Sequence, residues 1–243
     1  MRDHPLQIPA DALVCHYWQG ERLRSRSVSH LVLSGVVDIP EAPARLRADW
    51  EREISQHMTL DPGDVDQLPL ARARTRWPDF AQCVRAASGW TAGLGLDGLL
   101  AESDIALMVC RGARYHHDGD YGGMAFCNLF VGEDKGQDVH FPWLGLRIPL
   151  QRGTMLVFDT CQPHAVIARG GEGFNPADFP ADRDDTQPFL TWELPIEDPR
   201  VARALRIDFD IDAATSATLA EGQLRRGDQR VAVRPDSGEL FLS

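Results

Sequence analysis

The residues of this chain best suited to chemistry sit in two short stretches. They are Arg114-Tyr115-His116-His117-Asp118-Gly119-Asp120 and Phe158-Asp159-Thr160-Cys161-Gln162-Pro163-His164. In an extended strand successive side chains point to opposite faces, so His116 and Asp118 share a face while His117 looks away. His164 follows the apolar run Thr154-Met155-Leu156-Val157-Phe158, which could return the chain to the same place. Two imidazoles and one carboxylate on one face of an octahedral metal leave three positions open, an arrangement suited to Fe(II) and O2. A closed structural zinc site would instead use four protein ligands. The competing reading is a hydrogen-bonded His/Asp cluster at a turn. Asp120 is an alternative carboxylate, although it lies past Gly119, where the strand should have ended. His117 is expected to face substrate, support the ligands or be solvated. Asp138-Val139-His140 has the mirror spacing but no third partner, and His4, His16, His30 and His57 have no carboxylate or imidazole at ligand spacing.

Positioning these groups requires a sheet-rich scaffold. Ile105 to Cys110, Met124 to Val131, His140-Phe141, Leu146 to Leu150, Thr154 to Phe158, Ala165 to Ala168 and Phe189 to Leu194 read as short strands punctuated by Gly, Pro and Asp. That pattern predicts an antiparallel sandwich or jelly roll. Upstream, His30 to Val37 reads as a strand. A helix follows from about Ala42, with Leu46, Trp50 and Ile54 at four-residue steps, and a second runs from about Pro78 to Ala87. Residues 1–30 are expected to be irregular or edge structure, and Asp61-Pro62-Gly63-Asp64 to break the chain. Arg72, Arg74 and Arg76 read as a solvated helix face. The polar stretch 170–187 is too long for a simple turn and is expected to act as a lid. Gln229 to Leu242 carries two β-like runs about Pro235-Asp236-Ser237-Gly238, a hairpin signal. The expected organisation is one domain: a supporting region over 1–103, the β core over 104–195 with its insertion, and a hairpin extension over 196–243.

The 243 residues are 43% hydrophobic, enough for a sizeable core. The net charge of −11 disfavours non-specific binding to nucleic acid or an anionic membrane. No apolar run reaches the length of about 18 residues that a membrane span needs. Five scattered cysteines without a Cys-x-x-Cys pair argue for reduced thiols. The expected setting is cytoplasmic and the expected partner a small molecule; oligomeric state is not legible.

The ordered set His116-x-Asp118, then Asn128 to Pro142, then Arg152-Gly153-Thr154-Met155-Leu156-Val157-Phe158-Asp159, then His164 resembles the Fe(II)/2-oxoglutarate-dependent dioxygenases, near their prolyl 4-hydroxylase-like branch. The resemblance covers about residues 105–195. It implies an α+β, mostly β fold: a double-stranded β-helix (jelly-roll, cupin-like) core with N-terminal helices packed on one sheet. It further implies that His116, Asp118 and His164 hold Fe(II), and that 2-oxoglutarate and O2 are consumed while an unactivated C–H of a small organic or amino-acid-like substrate is oxidised, giving succinate and CO2. The family pairs the far carboxylate of 2-oxoglutarate with a basic residue on the strand after the distal histidine. Here the matching position is closest to Gln187, a neutral amide. Arg183, of the same alternating parity, is preferred as a substitute, with Arg169 and Arg114 as alternatives and Lys135 less favoured. Asn128 could face the interior and hydrogen-bond the cosubstrate. The alternatives are an iron oxygenase or oxidase on this fold that does not use 2-oxoglutarate, and a non-catalytic ligand-binding relative.

Overall fold

The structure, a computed structural model, describes residues 12–58, 60–211 and 222–243. The N-terminal part contains the hairpin β1 (Leu13–Gln19) and β2 (Arg22–Ser27), then β3 (Val32–Val36), α1 (Ala44–His57), β4 (Val65–Leu68), α2 (Leu70–Arg76), α3 (Phe80–Gly93) and the single turn α4 (Leu99–Glu102). Eight strands then follow one another: β5 (Ile105–Cys110), β6 (Ala113–His116), β7 (Met124–Phe130), β8 (Gln137–Phe141), β9 (Leu146–Pro149), β10 (Thr154–Asp159), β11 (His164–Ala168) and β12 (Gln187–Pro195). After them come α5 (Pro199–Leu205), β13 (Leu224–Arg226), β14 (Gln229–Val233) and β15 (Leu240–Leu242).

The eight central strands are divided between two antiparallel sheets. One has the order β3-β10-β7-β12-β5-β4 and the other β6-β11-β8-β9. Consecutive strands hop from sheet to sheet except β8 and β9, which form a hairpin within the four-stranded sheet; this is the winding of a double-stranded β-helix, so the core is the jelly roll expected from the spacing of short strands. β10 shows why it sits centrally: all six of its residues are buried. Met155 and Val157 join the cluster beneath the helices, whereas Leu156 and Phe158 face the barrel interior. Period-two alternation therefore serves two different cores. Gly153 opens this strand at φ 88°, and a Cβ there would lie 2.0 Å from the Val37 carbonyl oxygen, so only glycine fits.

Leu46 and Trp50 of α1, with Phe80, Cys83 and Ala87 of α3, press on the outer face of the six-stranded sheet. Trp77 bridges the two helices, its ring 5.4 Å from that of Trp50 and 5.5 Å from that of Phe80. Arg74 and Arg76 are exposed on α2, as expected of a solvated helix face, with Arg76 ion-paired to Asp49 at 2.5 Å and Arg74 over the Phe80 ring. The Arg72 side chain, like His4, lies outside the described groups.

Residues 13–27, expected to be irregular or edge structure, form a regular hairpin at one edge of a third sheet of order β15-β14-β13-β1-β2. Its inner residues Leu13 and Cys15 pack with Val28, Cys161, Leu224 and Val231, most of them distant in sequence. Residues 65–68, expected to follow a chain break, add an edge strand beside β5. At the C-terminus β14 pairs with β15 about the Pro235 to Gly238 turn.

Candidate metal centre

His116 ends β6 and His164 begins β11, and the two are direct cross-strand partners. Asp118 lies just past β6, where its backbone N–H donates to the Thr160 carbonyl at 2.8 Å. One ligand atom from each of His116, Asp118 and His164 lies within 4.8 Å of the others. The Nε2 atoms of His116 and His164 stand 3.5 Å from Oδ1 and Oδ2 of Asp118 respectively. The other ring nitrogens face backbone carbonyls: His116 Nδ1 is 2.7 Å from Arg114 O, and His164 Nδ1 is 2.9 Å from Gln162 O. A ring that donates from Nδ1 exposes its lone pair at Nε2, which fixes tautomer and aim together.

The electrostatics suit a cation. Burial, helped by the nearby His116, pushes His164 down to about 4, so it is neutral at pH 7. For Asp118, burial works upward, but the hydrogen bond from His116 and the charges of the neighbouring histidines prevail and hold it below the usual carboxylate range. For His116, burial works downward, and the hydrogen bond and charge of Asp118 overcome it and raise the imidazole. In the metal-free cluster His116 and Asp118 favour each other's charged forms, an interaction that a bound cation would replace. An anionic oxygen and two aimed imidazoles fit a divalent transition metal and leave one side open.

The ligand loops are fastened to the third sheet by a buried ion pair. Arg26 of β2 and Asp159 of β10 are both fully buried and meet in two parallel contacts of 2.6 and 2.7 Å. Arg26 Nε donates to the Gly122 carbonyl at 2.8 Å, and Asp159 also accepts the N–H groups of Ser29 and Cys161. Thr160 Oγ1 donates to Tyr121 and Met124 carbonyls, and the Gln162 amide donates to Ser29 O. Arg26, Thr160 and Gln162 were missed as positioning groups in the sequence. Their partners lie more than a hundred residues away or are backbone atoms, and neither leaves a spacing signal.

The cluster heads a cavity of about 290 Å³ enclosed by the two central sheets. Its walls are mostly apolar, including Met108, Phe126, Leu156 and Phe158. The Phe158 ring centroid lies 4.9 Å from that of His164. Asn128 lines the cavity as expected, its Oδ1 accepting a 2.6 Å hydrogen bond from Thr191. Phe130 and Phe189 also line it and stack at 5.0 Å.

The expected cosubstrate residues other than Asn128 do not reach this cavity. Arg183 is ion-paired with Asp185 and lines a separate depression beneath α1, because the stretch that carries it is pinned elsewhere. Arg169 is held by Asp134 and Asp138 on the outer side of β8. Gln187 is fully buried with its amide nitrogen donating to Glu133 O. Lys135 is drawn to Asp184 and the Thr186 carbonyl. Arg114 pairs with Asp64 at 3.3 Å in a depression that shares His116 and Val65 with the cavity. Among the described residues no Lys or Arg lines the cavity, so the far carboxylate of 2-oxoglutarate finds no cation there.

Stretch 170–187 is not a lid over the metal cluster. Its Phe174 and Phe179 stack at 5.6 Å and pack with Tyr115, Ala165 and Ile167 on the outer face of the four-stranded sheet. None of its residues lines the cavity. Asp120 is outside the metal cluster, and His140 is engaged by the Tyr115 hydroxyl at 2.6 Å.

No protein-family model matches the chain, and no curated protein matches it. Among solved structures it is similar to a Pseudomonas putida prolyl-4-hydroxylase, with TM-score 0.38 and 17% identity over 68% of this chain and 92% of that one. It is also similar to the viral collagen prolyl hydroxylase of Paramecium Bursaria Chlorella virus-1, in a 2-oxoglutarate complex, at TM-score 0.39 and 11% identity over 68% and 96%. A third is SnoN, a non-haem α-ketoglutarate-dependent epimerase of nogalamycin biosynthesis, at TM-score 0.36 and 12% identity over 79% and 88%. Every one of these TM-scores is below 0.5, and the winding of the eight strands defines the fold without them.

Proposed function

We propose that this chain is a non-haem Fe(II)-dependent oxygenase that oxidises, most simply hydroxylates, a C–H bond of a small and largely apolar organic substrate. The observation that carries this is the convergence of His116, Asp118 and His164 at the head of an apolar cavity, with each imidazole aimed by a backbone carbonyl. Iron supplies O2 activation when bound, and the protein supplies everything that directs it. Asp118 neutralises part of the metal charge, and the buried His164 stays neutral and ready to ligate. Met108, Phe126, Leu156 and Phe158 give the substrate a dry surface and keep competing water from the reacting face.

The sequence resemblance adds 2-oxoglutarate as cosubstrate, with succinate and CO2 as its products. A specific observation favours the form that does without it: the cavity lining holds no cation for the second carboxylate.

The metal assignment is tested by equilibrium dialysis of Fe(II) under argon. The expected outcome is one iron per chain, with affinity reduced at least about a hundredfold in His164→Ala, since losing even a partner behind a ligand costs 10–100-fold. Equal iron affinity in the variant would remove the metal centre from consideration.

A further inference from the structure

The cavity beside the metal cluster has a charge as well as a shape. Reading across the six-stranded sheet, its interior face is built in rows: Glu193 opposite Phe126 opposite Phe158; Ala106, Thr191, Asn128 and Leu156; and Gln67, Met108, Phe189 and Phe130. The row with Phe158 lies at the metal end, because that ring packs on His164. Glu193 is therefore the charged wall residue in the row nearest the cluster. It makes no hydrogen bond or ion pair among the described residues, unlike Asp64, Asp138, Asp159, Asp185 and Glu197, all of which are engaged. Its β12 neighbour on the same face, Thr191, is occupied with Asn128.

The charges in the lining are thus two carboxylates, Asp118 and Glu193, with no lysine or arginine among the described residues. The depression next to it adds Asp64 and Asp66 around the mouth, and its one arginine, Arg114, is paired with Asp64. Farther in, Phe130 and Phe189 stack across the interior. Beyond them, at the β8 and β12 ends, Gln137 and Gln187 donate their amide nitrogens to the carbonyls of Asp185 and Glu133. Their side-chain oxygens, with Oδ2 of Asp185, are buried acceptors without a partner among the described residues. An anion driven inward meets aromatic faces and then acceptors, and neither compensates its lost hydration.

We propose that Glu193 makes this cavity selective for an apolar substrate bearing a positively charged amine, and that a dicarboxylate such as 2-oxoglutarate is not held in it. This rests on the metal reading above only for the assignment of what lies at the head of the cavity. Asp118 is committed to the cluster and Glu193 is free, so a substrate ammonium would pair with Glu193 while its hydrocarbon body lies along Phe126 and Met108 toward the metal. The net charge of −11 steers such a ligand toward the protein and repels a dianion.

The test is a charge series on one hydrocarbon body: phenethylamine, 2-phenylethanol and 3-phenylpropionate, with 2-oxoglutarate alongside, each titrated by calorimetry under argon into metal-free protein, where no ion attracts the carboxylate, and then into Co(II)-loaded protein. The expected order of affinity is amine, then alcohol, then carboxylate, with no saturable heat from 2-oxoglutarate. Glu193 is exposed, so Glu193→Gln should weaken the amine by up to about fivefold, the upper end for an exposed charge pair, and leave the alcohol unchanged. Glu193→Lys should invert the series. Glu193 is on the surface of a strand, so both variants should fold. Saturable binding of 2-oxoglutarate to the unaltered protein, lost in Arg114→Gln, would overturn the inference, as would absent amine binding or an amine affinity unmoved by both substitutions at 193. Failure of cobalt to bind, read independently from its visible spectrum and from His164→Ala, would strike the metal reading instead, and the same titrations on the metal-free protein would still judge Glu193.

Discussion

At the metal end of the barrel, two imidazoles are aimed by carbonyls 2.7 and 2.9 Å away, and their loops are fastened through Arg26 and Asp159 to a separate sheet. At the far end, Phe130 and Phe189 stack at 5.0 Å, and Gln137 and Gln187 turn their amides to backbone, so among the described residues no charged side chain lines the cavity there. The same strands run through both ends, with the same period-two pattern facing the same interior. What differs is where polar groups find their partners. At the metal end the holds made by Arg26, Asp159, Thr160 and Gln162 involve the loops that carry the ligands; at the far end those of Gln137 and Gln187 end on the loops that join the strands. Rigidity at the first end serves geometry, and closure at the second end limits what the cavity can admit.

The largest way to break this difference is to remove Arg26. Asp159 would be left fully buried and unpaired, and such losses cost about 3–5 kcal/mol. Arg26→Ala is therefore expected to lower the urea midpoint sharply and to weaken metal binding, because Asp159 organises the loop of Thr160 to His164. Arg26→Met with Asp159→Leu should recover part of the stability, since an apolar pair no longer carries an unpaired charge. It should not recover metal affinity, because the Ser29 and Cys161 N–H groups lose their acceptor. Full recovery of both by the double variant would show that the pair holds the fold and not the site.

A smaller effect sharpens the comparison through pH. His164 has its folded value depressed to about 4, below an unfolded value of 6.5, so the unfolded chain binds more protons between those limits. Stability of the metal-free protein should accordingly be complete above about pH 6.5 and fall as pH drops toward 4. The loss is on the order of 3 kcal/mol from this group alone. Asp118, held low, adds to the loss under acid; His116, held high, returns some of it. His164→Asn should flatten the profile in that window. Urea midpoints measured from pH 7.5 to 4.5 for both proteins decide the matter, and parallel curves would sink the assignment.

Much of the metal end is legible in the sequence. His116 and Asp118 declared a shared face by their spacing, and the run Thr154 to Phe158 declared the strand that brings His164 back. The strand pattern from Ile105 onward was sufficient for the jelly roll, because each short apolar segment has its own turn residues. What stayed hidden was whatever depends on long-range partners. Strand β2 of the N-terminal hairpin carries Arg22, Arg24 and Arg26 on alternate positions, and the distant partners Asp159, Glu197 and Asp210 make Arg26 and Arg24 strand-compatible. The stretch 170–187 looked like a lid because it is long and polar. Two phenylalanines five residues apart, Phe174 and Phe179, anchor it to the outer sheet face, and sequence alone gave no means to choose that face over the cavity mouth. Parity placed Arg183 beside Gln187, but an arginine in a loop follows its nearest carboxylate, here Asp185.

The smallest expected effect lies at the closed end. Gln187→Met removes an amide whose oxygen has no partner among the described residues, while freeing the Glu133 carbonyl that its nitrogen satisfied. One lost hydrogen bond of about 1 kcal/mol is set against relief of one buried, unsatisfied acceptor of similar cost. The variant should therefore unfold within about 1 kcal/mol of the parent. Its affinity for metal should be unchanged, because residue 187 lies beyond the Phe130–Phe189 stack from His164. A loss of metal affinity approaching that of Arg26→Ala would mean that the two ends are mechanically one unit, and the contrast between a positioned end and a closed end would not stand. Thermal unfolding and iron dialysis on the same preparation separate these outcomes, since a purely structural fault would move the first without the second.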